Sequence, residues 1–391
     1  MNVKNKNIKQ SHNLPLGVGG IGSHNYPSGV GRHIIIAGGG TGGHIFPAIA
    51  IANAIKKLQP TANILFVGAA GKMEMEKVPQ AGYPIKSITI AGFNRSSLLK
   101  NISLPFKIIK SFFQVRSILN EFKPMVVIGV GGYSSYPVLR LAQSKGIPTF
   151  IHESNSFAGK ANMMLGKNAT KIFVATDGMH KFFPANKIVV TGNPVRTSIA
   201  KSTITKSEAL QFFGLHENKK TILVVGGSLG AKSINDAIVN HIETFAEHGL
   251  QLIWQTGKTN ADYYKSIAEG KQNIWVGAFI TQMEMGYAAA DIVISRAGAM
   301  AITELCVAGK PTVFVPYPFA AEDHQTANAM ALVNKQAALL VKDSDVAKTL
   351  VDTVLELSNN ELSQQILQHN ISALAIKNAD EIIADQILLS I

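Results

Sequence analysis

The chain writes one construction twice. Residues 33–54 read HIIIAGGGTGGHIFPAIAIANA, and residues 220–242 read KTILVVGGSLGAKSINDAIVNHI. Each is a short β-branched run, a glycine-rich loop and a helix-like stretch that opens with small residues. A strand that delivers the chain to such a loop at a helix N-terminus creates an anion site. Free backbone N–H groups and the helix dipole converge there. Two copies about a domain length apart predict an α/β protein of two Rossmann-like domains facing each other across a cleft.

The rest of the chain fits that plan. Its 391 residues exceed the usual size of a single core, which predicts two domains. Hydrophobic residues make up 46% and charged residues 16%, as expected of buried parallel sheets. The lone cysteine, Cys306, excludes an internal disulfide and predicts a reducing compartment. A net charge of +12 suits nucleic acid, anionic lipid or a phosphorylated substrate. Zinc-ligand spacing and an RNP-like aromatic strand are both missing, so nucleic acid is the weakest of the three. The first residues, MNVKNKNIKQSHN, lack the apolar core of an export signal, and no window of 18 apolar residues predicts a membrane span. Residues 15–31 are rich in Gly and Pro, so 1–32 read as a flexible extension.

Strands are predicted at 33–37, 63–67, 84–90, 125–129, 149–152, 171–174 and 188–190, then at 221–225, 251–255, 273–277, 292–295 and 312–315. Helical patterns such as 47–58 and 136–145 lie between them, the rhythm of parallel βαβ units. The polar stretch 191–209 predicts a hinge between a first domain over 33–195 and a second over 196–370. Residues 371–391 end the chain in a helix placed to return to the first domain.

The first loop, Gly38 to Gly43, fits G-x-G-x-x-G. The dinucleotide fingerprint also needs an acid about 20 residues on, at the end of the second strand. Here that strand ends in Gly68, Ala69 and Ala70, and the nearest acid is Glu74, which counts against NAD. Neither loop ends in the Gly-Lys-Ser/Thr of a P-loop. A better nucleotide site is SRAGAMAITE, residues 295–304, where small residues let backbone N–H groups approach a diphosphate. Glu304 lies about one and a half turns into the following helix. It can accept both hydroxyls of a ribose or simply stand near a helix N-terminus. The only D-x-D, Asp343-Ser-Asp345, precedes a helical pattern and reads as a helix cap rather than a metal site. His44, at the mouth of the first loop, is a candidate general base, or a histidine that only hydrogen-bonds substrate or backbone.

Residues 98–119 mix Phe106, Ile108, Ile109, Phe112 and Phe113 with Lys107, Lys110 and Arg116. That mixture suits an anionic bilayer surface, and equally a core-facing helix with a solvated basic face.

Seven segments occur in order over residues 33–330: GGGTGGHIFPAIAIA, IGVGGYSSYP, HESNSFAGKAN, TGNPVR, VVGGSLGAKSIND, SRAGAMAITE and the run from Asp323 to Asn328. Together they resemble the MurG family, the peptidoglycan N-acetylglucosaminyltransferases that convert lipid I to lipid II. The resemblance implies a GT-B fold, with the acceptor on the first domain and UDP-GlcNAc mainly on the second. It implies an inverting attack of the muramyl C4 hydroxyl on the anomeric carbon, with His44 as base and Glu153 orienting the acceptor or sharing the proton. For the donor it implies Ser228 and Arg196 at the diphosphate, with the backbone of Ala299, Met300 and Ala301 and the adjoining Ile302 and Thr303. Glu304 is implied at the ribose, Ile280 at the uracil, and Asn155 and Gln325 at the sugar hydroxyls. Thr41, Gly42 and Gly43 would close on the donor from the first domain. No metal or cofactor is required for binding, which leaves room for stimulation by a divalent cation. The implied location is peripheral, on the cytoplasmic face of the bacterial inner membrane. Implied partners are the anionic membrane surface and other cell-wall synthesis proteins, with no nucleic acid. Ser154 departs from the family's usual Gln.

Two rival readings stay open on the residues alone. One is a UDP-GlcNAc 2-epimerase or another GT-B sugar-nucleotide enzyme, which needs no lipid acceptor. The other is a non-enzymatic nucleotide-sugar scaffold, against which His44 argues.

Overall fold

The structure, a computed structural model, describes residues 31–92 and 104–391. Most of the expected extension over 1–32 and the first residues of the 98–119 segment therefore lie outside the described residues.

The first sheet holds β1 (His33–Ala37), β2 (Asn63–Ala69), β3 (Ile85–Ile88), β4 (Val126–Gly129), β5 (Thr149–Glu153), β6 (Lys171–Val174) and β7 (Ile188–Val190). Its order is β3-β2-β1-β4-β5-β6-β7, all parallel. The second sheet holds β8 (Thr221–Val225), β9 (Gln251–Gln255), β10 (Ile274–Gly277), β11 (Ile292–Ser295), β12 (Thr312–Phe314) and β13 (Leu339–Leu340). Its order, β10-β9-β8-β11-β12-β13, repeats that of the first, again all parallel. The central strands are continuous apolar runs because helices cover both faces. Ile34 and Ile36 enter one core and Ile35 the other, on opposite sides of the first sheet. Ile222 and Val224 part from Leu223 in the same way in the second.

The last helix, expected over 371–391, spans only Ala379–Leu388, because residues 371–372 end the preceding helix, Glu361–Ser372. Two further elements depart from expectation. Helix α1 spans Gly42–Leu58 and so starts five residues before the predicted 47–58. Gly42 and Gly43 have low helix propensity, and Pro47 cannot donate to the carbonyl of Gly43, which together mask the first turn. Strand β13 was not predicted. It is two residues long and has no alternation or β-branching to reveal it.

The chain crosses between the domains twice. After β7 it passes through Thr191 to Arg196 into the second domain. It returns as the helix Ala379–Leu388, which packs along α1. Ile383, Ala384, Ile387 and Leu388 are buried in the first domain's core. Arg32 Nη1 donates to the carbonyl of Leu388 at 2.9 Å, and Lys171 Nζ to Gln386 Oε1 at 2.7 Å.

Both sheets reverse strand order at their first strand, between β1 and β4 and between β8 and β11. The crevice beyond the carboxyl ends at such a reversal is where open α/β sheets bind ligands. The two glycine-rich loops leave from β1 and β8, at those points.

Candidate active site

The first wall of the cleft is built around His44. Thr41 is the extended N-cap of α1, so His44 stands in the first turn. Its Nδ1 lies 3.1 Å from the Gly39 carbonyl oxygen and 3.3 Å from Thr41 Oγ1. A carbonyl can only accept, so Nδ1 carries the proton and donates it to Gly39. The neutral ring therefore presents a bare Nε2. That nitrogen faces Gly131 in the loop after β4. A Cβ there would come within 2.7 Å of Nε2, and φ at Gly131 is +93°. Only glycine fits on both counts. Burial lowers the pKa of His44 from its usual 6.5. The charge of Glu153, the Gly39 carbonyl and, more weakly, Glu74 work against burial, while His324 on the opposite domain adds to it. His152, at the end of β5, is fully buried and pushed down to about 4 by burial and by His44, so it stays neutral.

Glu153 is committed to its own loop. It is buried and accepts four hydrogen bonds: Asn155 N at 3.1 Å and Nδ2 at 3.3 Å on Oε1, Gly159 N at 3.1 Å and Asn162 Nδ2 at 2.9 Å on Oε2. A carboxylate so engaged holds the loop after β5 in shape and is poorly placed to take a proton. Asn155, in turn, spans the cleft. Its Oδ1 accepts from Asn328 Nδ2 of the second domain at 3.2 Å, and Asn328 Oδ1 accepts from Ser156 N at 2.8 Å. Asn193, in the hinge, adds a second bridge by donating to the Ser154 carbonyl at 3.1 Å and to Thr303 Oγ1 at 3.0 Å.

The second wall carries the anion-facing groups. Ala299, Met300 and Ala301 form the first turn of the helix Ala299–Ala308, where backbone N–H groups have no intrahelical acceptor. Ile302 N already donates to Gly298 O, and Thr303 Oγ1 donates to Ala299 O. Ser228 is exposed on the second glycine-rich loop.

Several expected donor contacts are paired with one another. Arg196 forks onto Glu304, Nε to Oε1 at 2.9 Å and Nη2 to Oε2 at 3.1 Å, and Tyr287 Oη donates to Oε2 at 3.0 Å. Burial raises the pKa of Glu304, while Arg196 and Tyr287 pull it back down. The backbone N–H of Ile280 donates to Gln255 Oε1 at 2.9 Å. Gln325 Oε1 accepts from Tyr317 N at 3.0 Å.

The D-x-D segment corrects one expectation. Asp345 makes no side-chain cap bond. Asp343 accepts from Arg296 Nη1 at 2.6 Å and from Ser233 Oγ at 2.6 Å, which ties its turn to the loop after β11 and to the helix after the second glycine-rich loop. Asp345 does stand at the N-cap position, but its Oδ1 accepts from Ser344 Oγ at 2.9 Å and not from the helix backbone.

Thr41, Gly42, Gly43, His44, Glu153 and Asn155 thus line one wall. Arg196, Ser228, Ile280, Glu304, Gln325 and the Ala299–Ala308 first turn line the other. Sequence reasoning assigned no site role to Asn193, Gln255, Tyr287 or Asn328. Asn193 and Asn328 sit in quoted segments, and a polar residue beside a domain crossing was the available signal.

The comparisons place this arrangement. The glycosyltransferase family 28 N-terminal domain matches residues 34–174, and its C-terminal domain matches residues 221–386. A Parabacteroides distasonis protein is 51% identical over 91% of this chain and 97% of its own. One from Bacteroides thetaiotaomicron is 50% identical over 91% and 96%. Both are named UDP-N-acetylglucosamine–N-acetylmuramyl-(pentapeptide) pyrophosphoryl-undecaprenol N-acetylglucosamine transferase. The crystal structure of Acinetobacter baumannii MurG is 29% identical, covers 92% of this chain and 100% of its own, and superposes with a TM-score of 0.76. A UDP-N-acetylglucosamine 2-epimerase superposes at 0.63 with 12% identity, a likeness of fold alone.

Proposed function

This chain belongs to glycosyltransferase family 28, within it to the MurG family, and on that premise we propose how its cleft works. The enzyme transfers N-acetylglucosamine from UDP-GlcNAc to lipid I, giving lipid II and UDP. The observation that carries the mechanism is the bare Nε2 of His44 on one wall, opposite the unpaired first-turn N–H groups of Ala299–Ala308 on the other. The muramyl C4 hydroxyl gives its proton to Nε2 as its oxygen bonds to the anomeric carbon. The bond from that carbon to the diphosphate oxygen breaks, and the electron pair leaves with UDP. Attack from the opposite face inverts α to β. The growing charge on the diphosphate meets the helix N-terminus, Ser228 and Arg196. These groups supply the stabilisation without a metal, so the donor binds with no cofactor.

On this reading Arg196 turns part of its fork to the diphosphate and Glu304 part of its carboxylate to the ribose, so donor binding exchanges some of their mutual charge-assisted bonds for others. Asn155 and Gln325 hold the sugar, and Ile280 meets the uracil. The bridges at Asn328 and Asn193 hold the two walls at working distance.

The acceptor is lipid-linked, and the first domain offers a surface for it. On α3 (Leu104–Phe122), Phe106 is 74% exposed, Phe113 68% and Ile109 56%, with Lys107 and Lys110 among them. Among the described residues no helix is long and apolar enough to cross a membrane. The apolar and basic face of α3 supports a peripheral seat on an anionic bilayer, the cytoplasmic face of the inner membrane, beside other cell-wall synthesis proteins.

The deciding experiment is transfer of labelled GlcNAc from UDP-GlcNAc to a lipid I analogue, with an acceptor-free control. Label in a β-1,4-linked lipid product supports the proposal. Label released as free sugar or UDP-ManNAc, with none in lipid, overturns it.

A further inference from the structure

Glu74 is the first residue of α2 (Glu74–Gln80), yet its side chain turns inward until only 1% of the residue is exposed. A carboxylate at that place would ordinarily serve its own helix N-terminus. This one does not. Oε2 accepts from Gly40 N at 2.8 Å, and Oε1 accepts from Ala69 N at 3.0 Å. Those donors lie in the loop after β1 and at the last residue of β2. The backbone is cut to fit the carboxylate. A Cβ on Gly39 would fall 2.3 Å from the Glu74 carboxyl carbon, and one on Gly68 would fall 2.5 Å from its Cγ. In an ordinary Rossmann-like domain the N–H groups of this loop meet a phosphate. Here Gly40 N meets a side chain of the same domain instead. The loop it fills also sets the imidazole, because Gly39 accepts the Nδ1 proton of His44.

We infer that Glu74 is an internal anion for the first glycine-rich loop, a positioning residue that fixes His44 through Gly39 and Gly40. Its effect on turnover rests on the reading of His44 as base; its role as bound anion does not.

The test uses the full chain with Glu74→Ala and Glu74→Gln, and formate as a replacement anion. Losing both acceptors leaves the buried Ala69 N unpaired and releases Gly40 N, so Glu74→Ala should lower kcat about 30-fold while the KM for UDP-GlcNAc stays within about 3-fold. Formate should restore about a third of the lost turnover and raise the melting temperature of this variant only, and neutral formamide should do neither. Glu74→Gln keeps the shape and one acceptor, and should fall about 5-fold in kcat. A Glu74→Ala enzyme with native kcat, or one whose melting temperature ignores formate, overturns the inference. If Glu74→Ala does not fold, native kcat in Glu74→Gln overturns it. Full turnover in His44→Ala would instead remove the base reading, and formate-dependent melting of Glu74→Ala would still support the internal anion.

Discussion

Arg196 and Glu304 hold each other through two parallel hydrogen bonds of 2.9 and 3.1 Å, although each is expected to hold a different part of the donor. Arg196 ends the first domain crossing, and Glu304 lies in the helix Ala299–Ala308, whose first turn is proposed to meet the diphosphate. The pair therefore couples the hinge to the nucleotide site. The guanidinium pulls down a carboxyl pKa that burial raises. In the proposed mechanism donor binding loosens the fork, freeing groups for phosphate and ribose.

That exchange makes the fork essential. Lysine offers a point charge in place of a planar pair of donors, so Arg196→Lys should raise the KM for UDP-GlcNAc about 10-fold with a smaller change in kcat. Arg196→Ala adds a pH signature. Burial already raises the pKa of Glu304 and Arg196 pulls it down, so removing Arg196 lets it rise further. A raised pKa means the carboxylate is lost at a higher pH as the solution is acidified. Calorimetric titration with UDP should show affinity falling with decreasing pH earlier in Arg196→Ala than in the native enzyme. Parallel pH profiles would show that Glu304 does not meet the ribose as a carboxylate.

His44 gives the second prediction. General-base catalysis contributes typically about 10²–10⁴-fold, and His44→Ala should lose kcat in that range with donor affinity nearly unchanged. Burial lowers the His44 pKa from 6.5. The neutral, proton-accepting form therefore already dominates at pH 6.5 and is lost only as the pH falls further. The acidic limb of kcat/KM should have its midpoint below 6.5; a midpoint above 7 would assign that limb to another group. His152, held at about 4, stays neutral through this range and should leave the profile unchanged.

Asn328 provides a test of the cleft's width. It is buried and is the shared partner of Ser156 N, Asn155 Oδ1 and the Ala297 carbonyl. Asn328→Ala leaves the Ser156 N–H without its acceptor, which costs about 1–3 kcal/mol where the group remains buried. The variant should melt at lower temperature and show a larger radius of gyration by solution scattering, because a buried polar bridge between the domains is gone. Asn328→Asp keeps the acceptor but sets a carboxylate against Asn155 Oδ1 and the Ala297 carbonyl, and should be no better. Native scattering in both variants would mean that Asn328 does not set the width of the cleft, which the Asn193 bridge and the ion pairs Lys160–Glu322 and Lys335–Asp177 would then hold.

Much of this architecture is legible in the chain because buried parallel strands are written as β-branched runs. β1, β6, β7, β8, β9 and β11 have the predicted ends. The start of α1 is hidden for a physical reason: the glycines that open the anion loop are poor helix formers. The side-chain pairings are hidden for another. Nothing in local pattern tells that Arg196 will meet Glu304, 108 positions away, or that Asn328 will meet Asn155, 173 positions away. Asp343 looks like a cap because its neighbours are visible in sequence and its partner Arg296 is not. Glu74 is the sharpest case. As a ribose acid it stands in the wrong place, and only the fold shows it reaching back into the glycine-rich loop.

The membrane face can be tested apart from the chemistry. On α3, Ser111, Val115, Ile118 and Leu119 are buried against the first domain, which leaves Phe106, Ile109 and Phe113 pointing outward with no core to join. A helix that only covered a sheet would place its phenylalanines on the buried stripe. Each basic residue near an anionic surface contributes about 1 kcal/mol, so Lys107→Glu with Lys110→Glu reverses a contribution of about 2 kcal/mol and should weaken binding to phosphatidylglycerol-rich vesicles at least 30-fold. Phe106→Ser with Phe113→Ser should weaken binding to neutral vesicles too, since the loss is of apolar contact and not of charge. Both double variants should turn over a soluble, short-chain acceptor at the native rate, because α3 lies outside the cleft. Unchanged vesicle sedimentation in both would remove α3 from the membrane and leave the chemistry of the cleft standing.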